Sequence, residues 1–375
     1  MADYFITATA SGGGLGTVGD PFTLLEAASH SQSNNGNFYY IKKGNYNLPN
    51  NTQVTLNGGG FGTPNIFTGY NTDLDDGFLG FGSNSEIIVD NMPRITGTGV
   101  LITVGQGGML SCVDFETSRT IRVCAVSNAY ITHSKIKNTN TSSQAGGARL
   151  QTSWTSAAPG DRGGHLIRCQ VESSGTVDLG AAVNIETAGR VYGCVLRNNS
   201  NTSGRAIVFS GETAELINST ILGSPSHGIL IGTGSSGSII SNNTIINCDS
   251  TCIRVTSNIA RCLTLSSNIF ANSGRVYDAA GASQAHINIM NNNVKIEITA
   301  LDNNAGPAAD NYTTGGSLAT EFLDFNNNDL RLRPNSVSSG AGLGGSPAGA
   351  AIVVYPTPAE IAEAVWTRTG RTLTG

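Results

Sequence analysis

Residues 205–228 read RAIVFSGETAELINSTILGSPSHG, residues 229–252 read ILIGTGSSGSIISNNTIINCDSTC, and residues 253–274 read IRVTSNIARCLTLSSNIFANSG. Set one above another, Thr220-Ile221-Leu222 falls over Thr244-Ile245-Ile246 and then over Asn268-Ile269-Phe270, at steps of 24 residues. Short apolar triplets between Asn, Ser and Gly, repeating with a period in the twenties, are what a stacked solenoid requires. Each unit exposes an apolar face that only the next unit can bury.

Anchoring each coil on one inward apolar residue extends the repeat outward from this stretch. The anchors are Phe115, Ile136, Val171, Val195, Ile221, Ile245, Ile269 and Val294, separated by 21, 35, 24, 26, 24, 24 and 25 residues. The step of 35 marks an insertion over 141–164. An insertion of that size in one coil is expected to emerge as a loop on one face.

Composition agrees with many turns and short strands. Gly is 48 of 375 residues and charged residues are only 13%, while 39% of the chain is hydrophobic, too much for a disordered Gly/Ser polymer. The net charge of −5 with no basic block speaks against nucleic acid as a partner. No apolar run is long enough to cross a membrane, and MADYFITATASGGG has neither the basic nor the apolar part of a signal peptide, so synthesis in the cytoplasm without export is expected. The seven Cys are expected as buried reduced thiols, because Cys248 and Cys252 lack the His or second Cys pair that would complete a zinc set.

The ends differ from the middle. Asp20-Pro21 reads as an N-cap and first helical residue, predicting a helix over 21–29 that covers the open end of the first coil. Residues 38–41 read as a strand, and 329–334 as one more. Thr357-Pro358-Ala359-Glu360 is a capping box, predicting a helix over 358–367 with Ile361, Val365 and Trp366 as apolar contacts. The chain thus divides into an N-terminal strand, turn and capping helix (1–35), a solenoid body (36–349) and a C-terminal anchoring segment (350–375).

Residues beside an inward anchor point outward, because strand side chains alternate. In the early coils these neighbours are Asp114 and Glu116, Lys135 and Lys137, then Gln170 and Glu172, an expected ion-pair ladder. In the later coils they are Leu196, Leu222, Ile246 and Phe270, an expected exposed apolar stripe suited to packing between protomers. Asn243 and Asn247 are expected to stack as inward asparagine ladders at the bends.

The coils around 240–247 (ISNNTIIN) and 265–272 (LSSNIFAN), with the block 21–46, resemble the right-handed parallel β-helix of the pectin-lyase-like superfamily. Residues 329–342 (DLRLRPNSVSSGAG) look like the closing coil common in that group. The resemblance implies an all-β, right-handed, single-stranded parallel β-helix with a short N-terminal capping helix and a short C-terminal helix and tail. Residues 359–374 (AEIAEAVWTRTGRTLT) look like a short C-terminal segment of bacteriophage structural proteins. Together these imply a non-enzymatic virion protein: a capsid decoration, fibre or tailspike-like part, trimeric, held to other virion proteins through its C-terminal segment, and in contact with host surface glycan. The alternative is a polysaccharide lyase or glycoside hydrolase of the same fold, a depolymerising tailspike.

No family catalytic motif can be matched. For an enzyme, Asp114, Glu116 and Glu172 are the best placed carboxylates, ahead of Asp161 with Arg162 and Glu212 with Glu215. The turn NTDLDDG offers Asp73, Asp75 and Asp76 as a calcium candidate, but Gly82 stands where an EF-hand needs Glu. Residues 14–19 fit GxGxxG, yet the strand that follows carries Lys42 and Lys43 instead of an acid, so no dinucleotide cofactor is expected.

Overall fold

The computed structural model describes residues 2–350 apart from 60–62, 75–76, 78–80, 83–85, 152–162, 233–234, 236, 257–262, 280–286, 290–291 and 299–311. The chain winds as a right-handed parallel β-helix, and a full coil gives one short strand to each of three parallel sheets. One coil, for example, gives Tyr130–Thr132 to the first sheet, Lys135–Asn138 to the second and Ala148–Gln151 to the third. Among the described residues the first and second sheets have 11 strands each and the third has 9. Residues 148–151, expected within the loop insertion, are therefore a strand of the third sheet.

The bend between the first and second sheets is made by one residue in the left-handed region: Cys112, His133, Arg168, Gly193, Asn218, Asn242 and Ser267 in successive coils. For a non-glycine residue that conformation costs about 1–2 kcal/mol. The next residue offsets this cost by bonding along the stack. Ser134 Oγ accepts from Val113 N, Ser219 Oγ from Cys194 N, and Asn243 Oδ1 from Ser219 N. Asn243, Asn268 and Asn293 then continue as a buried amide ladder, with Nδ2-to-Oδ1 bonds of 3.0 and 2.9 Å. Asn247 is not part of it. It takes the left-handed conformation at the next bend and accepts from Asn272 Nδ2 on the outside.

The inward row of the second sheet runs Phe115, Ile136, Val171, Leu196, Ile221, Ile245 and Phe270, all in register and all in the interior core. This corrects the expected anchors at three coils. Val195, Ile269 and Val294 face outward, and Leu196 and Phe270, expected outside, fill the interior.

The N-terminal end is covered by the chain itself. The helix Leu24–Ser31 begins later than expected. Its N-cap is Thr23, which forms a capping box with Glu26, and its buried Leu24, Ala27 and Ala28 pack toward Gln53–Leu56, the edge strand of the third sheet. Beneath it Tyr39 stacks on Phe67 at 4.4 Å and its hydroxyl meets His30 Nδ1 at 2.9 Å. Burial pushes the Tyr39 phenol up to about 12. At the other end Tyr312–Thr314 extends the second sheet. The strand Asp329–Leu332 does not join a coil. It pairs antiparallel with Phe322–Asp324, and this segment turns back over the outside of the second sheet.

Candidate functional site

The outer face of the second sheet carries the candidate carboxylates. Because the strands stack in register, Asp114, Lys135 and Gln170 form one outward row, and Glu116, Lys137, Glu172 and Arg197 form another. The preceding coil adds Arg94, in register with Asp114. Arg94 reaches both acids, with Nη2 2.7 Å from Glu116 and Nε 3.7 Å from Asp114. Lys137 lies 3.9 Å from Glu116, and Lys135 lies 3.9 Å from Glu172. The expected ladder of acid, base and acid is thus present, and Arg94 closes its lower end. Arg94 was missed because its strand, RITGT, lies in the irregular stretch before the readable coils.

Burial pushes the Asp114 carboxyl above its ordinary value, while Arg94 and Lys135 pull it back. Its Oδ1 is buried and has no hydrogen-bond partner. The rows are covered at their far end, whereas Arg94, Glu116 and Lys137 stay partly exposed. The loop following Ile66–Tyr70 folds over that end: Ile87 N donates to Gln170 Oε1 at 2.7 Å, Glu86 lies 3.6 Å from Arg197, and Phe81, Ile87 and Met92 pack with Val195.

Further along, the C-terminal segment closes the same face. Phe322, Leu330 and Ala348 share one apolar cluster with Leu222, Ile246, Ile269, Ala271, Val294 and Ile296. Leu343 N donates to Ser267 Oγ, Gly349 N to Ser267 O, and Ala350 N to Thr244 Oγ1. Glu321, itself buried, pins the segment by accepting from the backbone N–H groups of Gly316, Val337 and Ser338. The expected exposed stripe Leu196/Leu222/Ile246/Phe270 is therefore corrected. Leu196 and Phe270 are interior, and Leu222 and Ile246 lie beneath the chain's own C-terminal segment, so all four are buried within one chain.

The remaining candidates lie apart from this face. Glu215 pairs with Arg190 in the first sheet and Glu212 sits in an exposed turn. Asp73 lies in an exposed turn; Asp75 and Asp76 are outside the described residues, as are Asp161, Arg162, Ile361, Val365 and Trp366. Among the described residues no three His, Cys, Asp or Glu side chains cluster to hold a metal ion. Among the described residues six cysteines are free thiols: five are buried and Cys112 is half-buried. An open polar depression of about 450 Å³ is lined by Asn247, Asp249, Asn272, Ser273 and Glu297 at the corner between coils. Among the described residues no helix is long and apolar enough to cross a membrane.

No family model matches the chain, and none of the curated proteins does. Among solved structures, pectate lyase Pel9A superposes with a TM-score of 0.66 at 14% identity, covering 93% of this chain and 96% of that one. A rhamnogalacturonan lyase gives 0.47 at 13% identity, covering 78% and 87%. ORF18 of Geobacillus virus E2 gives 0.31 at 9% identity, covering 84% and 60%. The fold is thus a right-handed parallel β-helix like that of pectate lyase Pel9A. Likeness at such identities concerns fold alone.

Proposed function

We propose that this β-helix is a non-enzymatic structural part of a bacteriophage particle, a decoration, fibre or tail component. The observation that carries the reading is the state of the second sheet's outer face. Asp114, Glu116 and Glu172 each face a cation, and loop and C-terminal segments of the same chain cover the face in the coils that follow. A glycosidase needs two carboxyls facing each other across a substrate-sized gap. Here the three acids neutralise neighbouring coils instead, as a rigid scaffold would use them. The likeness of residues 359–374 to a segment of phage structural proteins supports placing the protein in a particle, with 356–375 as the anchor. Any trimer would have to form through a surface other than Leu196, Leu222, Ile246 and Phe270, and contact with host glycan belongs to the same proposal. Deleting 356–375 should leave a folded body that no longer enters particles; full incorporation of the truncated protein would remove the anchoring claim.

One observation favours a second reading, a polysaccharide lyase or glycosidase. Asp114, with its raised pKa and partnerless Oδ1, lies beside Lys135. Incubation with pectate and with host polysaccharide, followed by product sizing, separates the two. Shortened chains that vanish in the Asp114→Ala/Glu116→Ala/Glu172→Ala triple variant would establish the enzyme and overturn the structural reading.

A further inference from the structure

The third sheet carries a basic corner that the preceding reading does not use. Arg205, His227, Thr251 and Arg275 stack in register through four coils, and Arg254 projects from the same strand as Thr251. His227 is only 3% exposed. Arg254 Nη1 lies 3.0 Å from its Nε2. A guanidinium only donates, so Nε2 accepts and the imidazole proton sits on Nδ1. That Nδ1–H is buried and has no acceptor.

Two further donors share this condition. Arg205 Nε and Arg254 Nε are buried without an acceptor in hydrogen-bond geometry, although Asp178 and Asp278 lie 3.2 and 3.9 Å away as ion-pair partners. The other bonds of Arg205, from Nη1 to Thr176 O and Ser203 O, hold its side chain in place. Buried donors are normally met, and a group of them without acceptors calls for an acceptor from elsewhere. Burial and then the two arginines hold the imidazole near pKa 4, with Asp278 acting the other way. His227 is therefore neutral at physiological pH and supplies a fixed dipole, while the charge comes from the guanidinium groups.

We propose that this corner binds a single oxyanion, with the Nδ1–H of His227 and the guanidinium groups of Arg254 and Arg205 as donors. Guanidinium matches carboxylate, sulfate and phosphate oxygens in pairs. The ligand is therefore either a free inorganic ion or the acidic group of a uronate-containing or sulfated glycan. The proposal stands whether or not the chain is a particle component.

The test uses the full chain with ¹⁵N-labelled histidine, titrated with inorganic sulfate and, separately, with a galacturonate oligomer at constant ionic strength. The expected result is a saturable shift of the His227 ring nitrogens. The dissociation constant should rise about tenfold or more in Arg254→Gln and in Arg205→Gln, and stay unchanged in Arg149→Gln, which removes a guanidinium paired with Glu186 elsewhere on the sheet. Arg254→Lys, which keeps the charge and loses the fork, should fall between, and a wild-type circular dichroism spectrum for each variant excludes misfolding as the cause. A tighter constant for the oligomer than for sulfate identifies a glycan group; equal or weaker binding identifies a free ion. No saturable shift in the wild type, or equal constants in the wild type, Arg254→Gln and Arg205→Gln, overturns the site.

Discussion

Replacing Asn268 by Ala should destabilise the body more than almost any other single polar change. Asn268 is fully buried and makes four side-chain bonds. Its Oδ1 accepts from Asn243 N and Asn243 Nδ2, both at 3.0 Å, and its Nδ2 donates to Asn293 Oδ1 at 2.9 Å and Ile240 O at 3.0 Å. Truncation does not orphan every partner. Asn243 Nδ2 keeps Leu216 O, and Asn293 Oδ1 keeps the backbone N–H of residue 268. The Ile240 carbonyl stays in the parallel ladder with Leu263–Ser266, so the group left unmet is the Asn243 N–H. At about 1–3 kcal/mol for a buried group left unmet, the cost is about 1–3 kcal/mol. The control is Asn272→Gly, which removes a comparable amide bond at 2.7 Å from an exposed position and keeps a residue suited to φ of 43°. It should change stability by no more than about 1 kcal/mol. Urea denaturation followed by circular dichroism measures both, and hydrogen exchange at the Asn243 amide should quicken in Asn268→Ala alone. A loss below about 1 kcal/mol, or one equal to that of the surface variant, would refute the claim that buried amides hold the bends.

Three further outcomes are expected. Burial opposes ionisation of Glu321, but the donors from Ser338, Gly316 and Val337 outweigh it and hold the carboxyl below its ordinary value. Stability from this group is therefore full above about pH 4.3 and is lost as pH falls through the lower folded value. Glu321→Gln should lower the thermal midpoint at neutral pH, and the difference from wild type should shrink on acidification; a constant difference would contradict the linkage. Thr23→Ala removes the capping box of the first helix and should cost about 1 kcal/mol, read as faster exchange of the amides in that helix. Burial raises the thiols of Cys124 and Cys169, the Cys252 contact and then burial raise that of Cys248, and Cys194 is buried as well. These four should resist a thiol reagent until the protein is unfolded; rapid native labelling would contradict their burial.

The period was legible because Ile221 and Ile245 stand at the same place in successive coils and are both interior. The register at Val195, Ile269 and Val294 was not. Alternation marks the inside of a strand only where the other face meets water. In the later coils both faces are dry, so Ile245 and Ile246 look alike in sequence. What makes the outer face dry is Phe322, Leu330 and Ala348, distant along the chain from the residues they cover, and no local pattern announces such a contact. The charged ladder was readable for the opposite reason. Lys135 and Lys137 flank an inward Ile136 in the early coils, where the outer rows are polar and alternation survives. The basic corner escaped notice because Arg205, His227 and Arg254 are scattered in sequence and meet only through strand register.

Coil number sets a distance. The loop bearing Ile87 grips the second sheet at Gln170, and the C-terminal segment grips it at Ser267 and Thr244. Only coils of nearly constant length lie between these grips, each joined to the next through the same rows. Excising residues 220–243 would splice Ser219 to Thr244, present Ser219 N to Asn268 Oδ1 in place of Asn243, and bring the two grips closer by about 4.8 Å. The fold is thus a molecular ruler: it can be shortened or lengthened in whole coils without redesigning either end, and evolution or an engineer can set its reach by counting repeats.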